Sequence, residues 1–86
     1  MQLTGFEGRV ALVTGAAGGI GAALVRLLAD AGCTVVATDR ECPEVDDARV
    51  HARALDVTDS AAVDAVVADV EAMVGPIALA VSVAGV

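Results

Sequence analysis

An 86-residue chain is one small domain with a modest core. Hydrophobic residues make up 57% of it, which excludes a disordered tail, and its apolar runs are too short to span a bilayer, so neither a membrane partner nor a membrane anchor is expected. The formal net charge is −7, with ten acids against three arginines from Asp39 onward, a balance that repels phosphate backbones and argues against a nucleic-acid partner.

The N-terminus, Met1-Gln2-Leu3-Thr4-Gly5-Phe6-Glu7, has no basic start followed by an apolar core, so the cytoplasm is the expected compartment. Arg9-Val10-Ala11-Leu12-Val13-Thr14 is a short apolar run that ends in glycines and reads as a buried strand. The segment after the glycines carries Ile20, Leu24, Leu27, Leu28 and Ala31 at offsets that share one helical face. Gly32 follows, where a left-handed cap would close the helix. Cys33-Thr34-Val35-Val36-Ala37-Thr38 is a second β-branched run, closed by Asp39. Residues 40–49 are acidic, contain Pro43 and show no periodicity, which predicts a loop with room for one helical turn. A third strand is expected from His51 to Leu55, ending at Asp56. Thr58 or Asp59 is placed to cap a second helix, whose apolar face is Val63, Val66, Val67, Val70 and Val74 and which Gly75-Pro76 stops. A fourth strand, Ile77 to about Val83, runs into Ala84-Gly85-Val86.

Near-continuous apolar strands separated by crossovers predict an α/β fold with a parallel sheet covered on both faces. Right-handed crossovers give the strand order 3-2-1-4. The expectation for residues 1–86 is therefore half of a doubly wound Rossmann fold, a parallel sheet of about four strands with flanking helices.

The loop Thr14-Gly15-Ala16-Ala17-Gly18-Gly19-Ile20-Gly21 follows a strand and opens a helix, the context a phosphate site requires. Gly15 permits the tight turn. Gly19 and Gly21 stand where a Cβ would block a pyrophosphate or the packing of helix on strand. Free N–H groups and the helix dipole would then face the phosphates. The competing P-loop needs a lysine, and this chain has none. Asp39 ends the second strand 18 residues after Gly21, where a carboxylate accepts hydrogen bonds from both adenosine ribose hydroxyls. That acid favours NAD over NADP, although the adjacent Arg40 could bind a 2′-phosphate. Asp56-Val57 ends the third strand at the same edge. The candidate cofactor residues in the loop and at the strand ends are thus Thr14, Gly15, Ala17, Gly18, Gly19, Ile20 and Gly21, with Asp39, Arg40, Asp56 and Val57.

No catalytic or metal-ligating set is expected. Cys33 and Cys42 form no C-x-x-C pattern and read as two reduced thiols. His51, the one conventional neutral-pH base, falls at the start of strand three, away from the cofactor edge.

Together these residues resemble the short-chain dehydrogenase/reductase family. Its Thr-Gly-x-x-x-Gly-x-Gly motif is matched by Thr14, Gly15, Gly19 and Gly21. The resemblance implies that Asp39 selects NAD, that Asp56-Val57 contacts the adenine, and that the backbone at Val83, Ala84 and Gly85 approaches the cofactor. Where the family ends strand four in Asn-Asn-Ala-Gly, this chain has Ser82-Val83-Ala84-Gly85, keeping Ala84 and Gly85 and losing both asparagines. Only 16 residues separate Asp39 from Asp56, where many members insert a helix. Met73-Val74-Gly75-Pro76-Ile77 and Val83-Ala84-Gly85-Val86 look like a branch of the family that oxidises a cyclic dihydrodiol to a catechol with NAD in siderophore synthesis.

The family's chemistry uses a Tyr-x-x-x-Lys pair, and this chain has no Tyr and no Lys. Three readings stay open at this point. The chain is the NAD-binding N-terminal part of a longer short-chain dehydrogenase, which the resemblance implies would be a homo-oligomer acting on a small-molecule substrate. Or it is a nucleotide-binding or interaction module without turnover. Or it belongs with the extended epimerase relatives, whose Gly-x-x-Gly-x-x-Gly loop Gly15, Gly18 and Gly21 also satisfy.

Overall fold

The computed structural model describes residues 7–83, so the expectations for Ala84 and Gly85 lie outside the described residues. Strands β1 (Val10–Thr14), β2 (Thr34–Asp39), β3 (Val50–Ala54) and β4 (Ile77–Ser82) alternate with helices α1 (Gly19–Asp30) and α2 (Ser60–Met73). The strands lie in the order β3-β2-β1-β4 and every pair is parallel, as the pattern of apolar runs predicts.

Because side chains alternate along a strand, the sheet feeds two cores, one on each face. Ala11 and Val13 of β1, with Val35 and Ala37 of β2, meet Val25, Leu28 and Ala29 of α1. Val10, Leu12 and Val36 face the other way, against Val66 and Val70 of α2. Thr38 is fully buried between strands because its hydroxyl donates to the Val13 carbonyl at 3.0 Å. In β4 the register shifts between Val10 and Ala11, whose partners are Ile77 and Leu79. Ala78 is the extra residue, and the bulge sends Ile77 to the α2 side and Leu79 to the α1 side.

Helix α1 differs from expectation in its phase. Its buried residues are Gly21, Val25, Leu28 and Ala29, while Ile20 is 66% exposed. The inward face starts at Gly21 because that residue sits directly against the Gly15 carbonyl, and the 3.6-residue period then selects Val25, Leu28 and Ala29. The helix closes as expected at Gly32 (φ 97°), with the Gly32 N–H donating to Ala29 O at 3.0 Å and the Cys33 N–H to Leu28 O at 3.1 Å. For α2 the cap is Asp59, whose carboxylate accepts the Ala62 N–H at 3.1 Å. Strand β3 starts and stops one residue earlier than expected. Leu55 leaves the ladder but stays buried in the α2-side core, its N–H held by Asp39 O at 2.7 Å.

The helix-free crossover from β2 to β3 is pinned by Arg49. Its guanidinium donates to Ala29 O at 2.6 Å, Asp30 Oδ1 at 3.2 Å and Asp47 Oδ2 at 2.8 Å, placing a cation where the dipole of α1 is negative. Hydrogen bonds from the Arg49 side chain and backbone hold the Asp47 carboxyl down to about 2 from its ordinary 3.8. A depressed carboxyl stabilises the fold fully above its unfolded value and loses that contribution as pH falls through its folded value. An NMR titration of Asp47 is expected to give a midpoint near 2, returning toward 3.8 in Arg49→Ala. An unshifted midpoint in the parent chain would remove the clamp. Among the described residues no helix is long and apolar enough to cross a membrane.

Candidate functional site

Parallel strands bring their carboxyl ends to one edge, where the connecting loops gather. After β1, Gly15 turns the chain with φ 74°. The Ala16 N–H then donates to Thr38 O at 2.9 Å and the Ala17 N–H to Asp39 Oδ2 at 3.0 Å, tying the loop to the end of β2. Gly18 is the N-cap of α1, with extended backbone and no side chain to satisfy the helix start. The first N–H groups of a helix have no partner within it, and here no acidic residue sits in the first turn to answer the positive end of the dipole.

The neighbouring strand ends close the site. Asp39 Oδ1 accepts the Arg40 N–H at 2.7 Å. Asp56 Oδ1 accepts the Thr58 hydroxyl at 2.6 Å and the Thr58 N–H at 2.9 Å, forming a tight turn out of β3. The Thr58 hydroxyl, then its N–H, then the Arg40 guanidinium hold the Asp56 carboxyl below its usual range. The Val83 N–H donates to Thr14 O at 3.0 Å, which aligns the end of β4 with the glycine turn.

Between these groups lies a cleft of about 680 Å³. Gly15, Gly18, Gly19, Ile20 and Gly21 form one wall, and Asp39, Arg40, Asp56, Val57 and Val83 line the rest. Thr14 and Ala17 are not on its wall. Thr14 ends β1 with its hydroxyl buried and without a hydrogen-bond partner in the described structure. Ala17 lines a separate hollow on the α1 side beneath Pro43 and Val45, while its N–H serves Asp39. Ala84 and Gly85 lie outside the described residues. Leu55 and Thr58 line the cleft without having been expected there. Leu55 had a signal, as the last apolar residue before Asp56; Thr58 reads in the sequence only as a helix cap.

The glycines divide by the reason each is glycine. Gly15 needs its positive φ. A Cβ on Gly21 would overlap the Gly15 carbonyl oxygen and stand 2.8 Å from Ala16 Cα. Neither constraint applies to Gly18 or Gly19: both have ordinary φ, a Cβ on Gly18 meets only Gly15 O at 3.9 Å, and one on Gly19 meets nothing within 4 Å. Gly19 also weakens the helix it begins. What these two bare positions offer is close approach to backbone N–H groups from the cleft, which suits a phosphate-bearing ligand. Asp39, with spare lone pairs on both carboxylate oxygens, can accept from hydroxyls. The apolar Ile20, Leu55, Val57 and Val83 suit a flat ring.

Among the described residues no group of three or more His, Cys, Asp or Glu is placed to hold a metal ion. His51 is exposed on β3 and lines a different hollow, with Arg53 and Met73. Both cysteines are free thiols, Cys33 buried and Cys42 exposed, and burial pushes the Cys33 thiol up.

Comparison with known proteins agrees with this geometry. The sequence pattern described as short chain dehydrogenase matches residues 9–86. The chain belongs to that family of oxidoreductases. It is 44% identical to the 2,3-dihydro-2,3-dihydroxybenzoate dehydrogenase of Bacillus subtilis (strain 168), across 100% of this chain and 36% of that protein. A short-chain dehydrogenase/reductase double mutant from Serratia marcescens superposes with a TM-score of 0.80 at 34% identity, over 94% of this chain and 37% of that one. The 3-ketoacyl-(acyl-carrier-protein) reductase from Brucella melitensis, complexed with NADH, superposes with a TM-score of 0.79 at 32% identity, over 86% of this chain and 33% of that one. The chain thus spans 36% of the length of the curated relative and 33–37% of these solved chains.

Proposed function

We propose that the cleft binds NAD and that the chain is the cofactor-holding part of a short-chain dehydrogenase. The observation that carries this is the pair Gly18 and Gly19, glycines the fold does not require, at the unanswered N-terminus of α1. In this reading the N–H groups of Gly18 through Gly21 hold the pyrophosphate, Asp39 takes the adenosine ribose hydroxyls, and Leu55, Asp56, Val57 and Thr58 line the adenine. Val83 continues the wall toward the nicotinamide, and Thr14 and Ala17 act through the loop's shape. Bound NAD supplies a hydride acceptor. The NADH named with the Brucella structure supports the choice of a nicotinamide cofactor.

For substrate, the 44% identity to the Bacillus enzyme and the Met73–Ile77 segment support oxidation of a cyclic dihydrodiol to a catechol. The 86 residues contain no Tyr and no Lys, which favours a second reading of the chain by itself, as a nucleotide-binding module without turnover. NADH formation from a cyclic dihydrodiol by this chain alone would overturn that second reading.

Asp39→Ala tests the site. Loss of hydrogen bonds to a charged acceptor costs about 1.5–3 kcal/mol, so NAD affinity by calorimetry should fall roughly ten- to a hundredfold. Equal affinity in the two proteins, with unchanged circular dichroism, would take Asp39 out of the ribose site.

A further inference from the structure

Arg40 directly follows the acid that ends β2, yet its guanidinium is drawn to the end of the next strand. Arg40 Nη2 lies 3.8 Å from Asp56 Oδ2, with side-chain exposures of 77% and 44%. Asp56 is itself held: Oδ1 accepts both the Thr58 N–H and the Thr58 hydroxyl, which leaves Oδ2 to face Arg40. Both residues line the cleft, as does Asp39.

We infer that Asp56 is a positioning residue for cofactor choice: by drawing Arg40 across the cleft, it withholds from a 2′-phosphate the cation that stands next to Asp39. The inference rests on the reading of this cleft as the NAD site. With the pair formed, a 2′-phosphomonoester meets the carboxylates of Asp39 and Asp56 and a guanidinium already committed to an acid. With the Asp56 charge removed, Arg40 becomes available to the phosphate through charge-assisted hydrogen bonds, and discrimination against NADP then falls to Asp39 alone.

The test is a double-mutant cycle read as the ratio of NADP to NAD affinity. Asp56→Asn keeps an acceptor for both Thr58 donors, so the turn survives while the charge is lost. The parent chain, Asp56→Asn, Arg40→Ala and the double variant are each titrated calorimetrically with NAD and with NADP. Exposed ion pairs are worth about 0.2–1 kcal/mol, so Asp56→Asn should move the ratio toward NADP by roughly 1.4- to fivefold. The same substitution in the Arg40→Ala background should move it less, because the route through Arg40 is gone. An unchanged ratio in Asp56→Asn, while NAD still binds, overturns the inference and leaves the NAD site standing. Equal shifts in both backgrounds also overturn it, assigning the effect to direct charge repulsion. Failure of the parent chain to bind either nucleotide overturns the NAD site and this inference together.

Discussion

Gly19→Ala is expected to stabilise the fold slightly while cutting NAD affinity at least tenfold. The backbone at Gly19 already has an ordinary helical sense of φ, and an added Cβ meets nothing within 4 Å. Replacing such a glycine removes unfolded-state entropy and improves helix propensity, a gain of about 0.4–1 kcal/mol. In the proposed site the same methyl group would occupy the space through which a phosphate reaches the first N–H groups of α1. Tenfold corresponds to about 1.4 kcal/mol, a modest cost for displacing an anion from a helix terminus. Thermal unfolding and calorimetry on one preparation measure both effects. A variant that binds NAD as tightly as the parent chain would mean that glycine at this position serves no ligand.

Gly21→Ala, two residues on, is expected to do the opposite. Its Cβ would overlap the Gly15 carbonyl oxygen and crowd Ala16 Cα at 2.8 Å, and both are backbone atoms that no rotamer change can move aside. Overpacking in a close-packed interior costs about 1–3 kcal/mol, and rigid neighbours place this case at the upper end or beyond. Domains of this size lose roughly 4–8 °C in Tm per kcal/mol, so a fall of at least about 10 °C is expected. Small domains have little stability to spare, so a sizeable unfolded fraction should appear even at room temperature. An unchanged Tm would show that α1 can move off the strand turn at little cost. The two substitutions separate a glycine kept for the fold from one proposed to serve the ligand, within one loop.

The sheet was legible because each strand is an apolar run of the right length and the intervening segments change period. Parallel order then follows from the handedness of the crossovers. The Schellman closure at Gly32 was legible for the same kind of reason, since glycine after a periodic segment has one common use. What escaped was geometry that residue types do not encode. Ile20 is as apolar as any core residue, and only the contact between Gly21 and Gly15 shows that the inward face begins one position later. The bulge at Ala78 carries no signature in an Ile-Ala-Leu-Ala run. In β3 the mixed sequence Val50-His51-Ala52-Arg53-Ala54 gives no sharp boundary for an edge strand.

The site shows the same division. Gly15, Gly19, Gly21, Asp39 and Asp56 stood out because their types and spacing match what a phosphate loop and strand-end acids require. The Asp39 hydrogen bond to the Ala17 N–H and the reach of Arg40 to Asp56 depend on where side chains point after folding, so no spacing rule exposes them. Thr58 illustrates the ambiguity well. A threonine before a helix reads as a cap, yet here Asp59 caps α2 and Thr58 fixes Asp56 at the cleft.

The most direct test of the central claim is an amide ¹H–¹⁵N spectrum of this chain titrated with NAD. The largest shifts are expected at the N–H groups of Gly18, Gly19, Ile20 and Gly21, with smaller ones at Asp39, Arg40, Val57 and Thr58. Amides of Glu44 to Asp47, beside the second hollow, and of His51 to Arg53 should hold still. Shifts concentrated beside that second hollow, or none at millimolar NAD, would contradict the account.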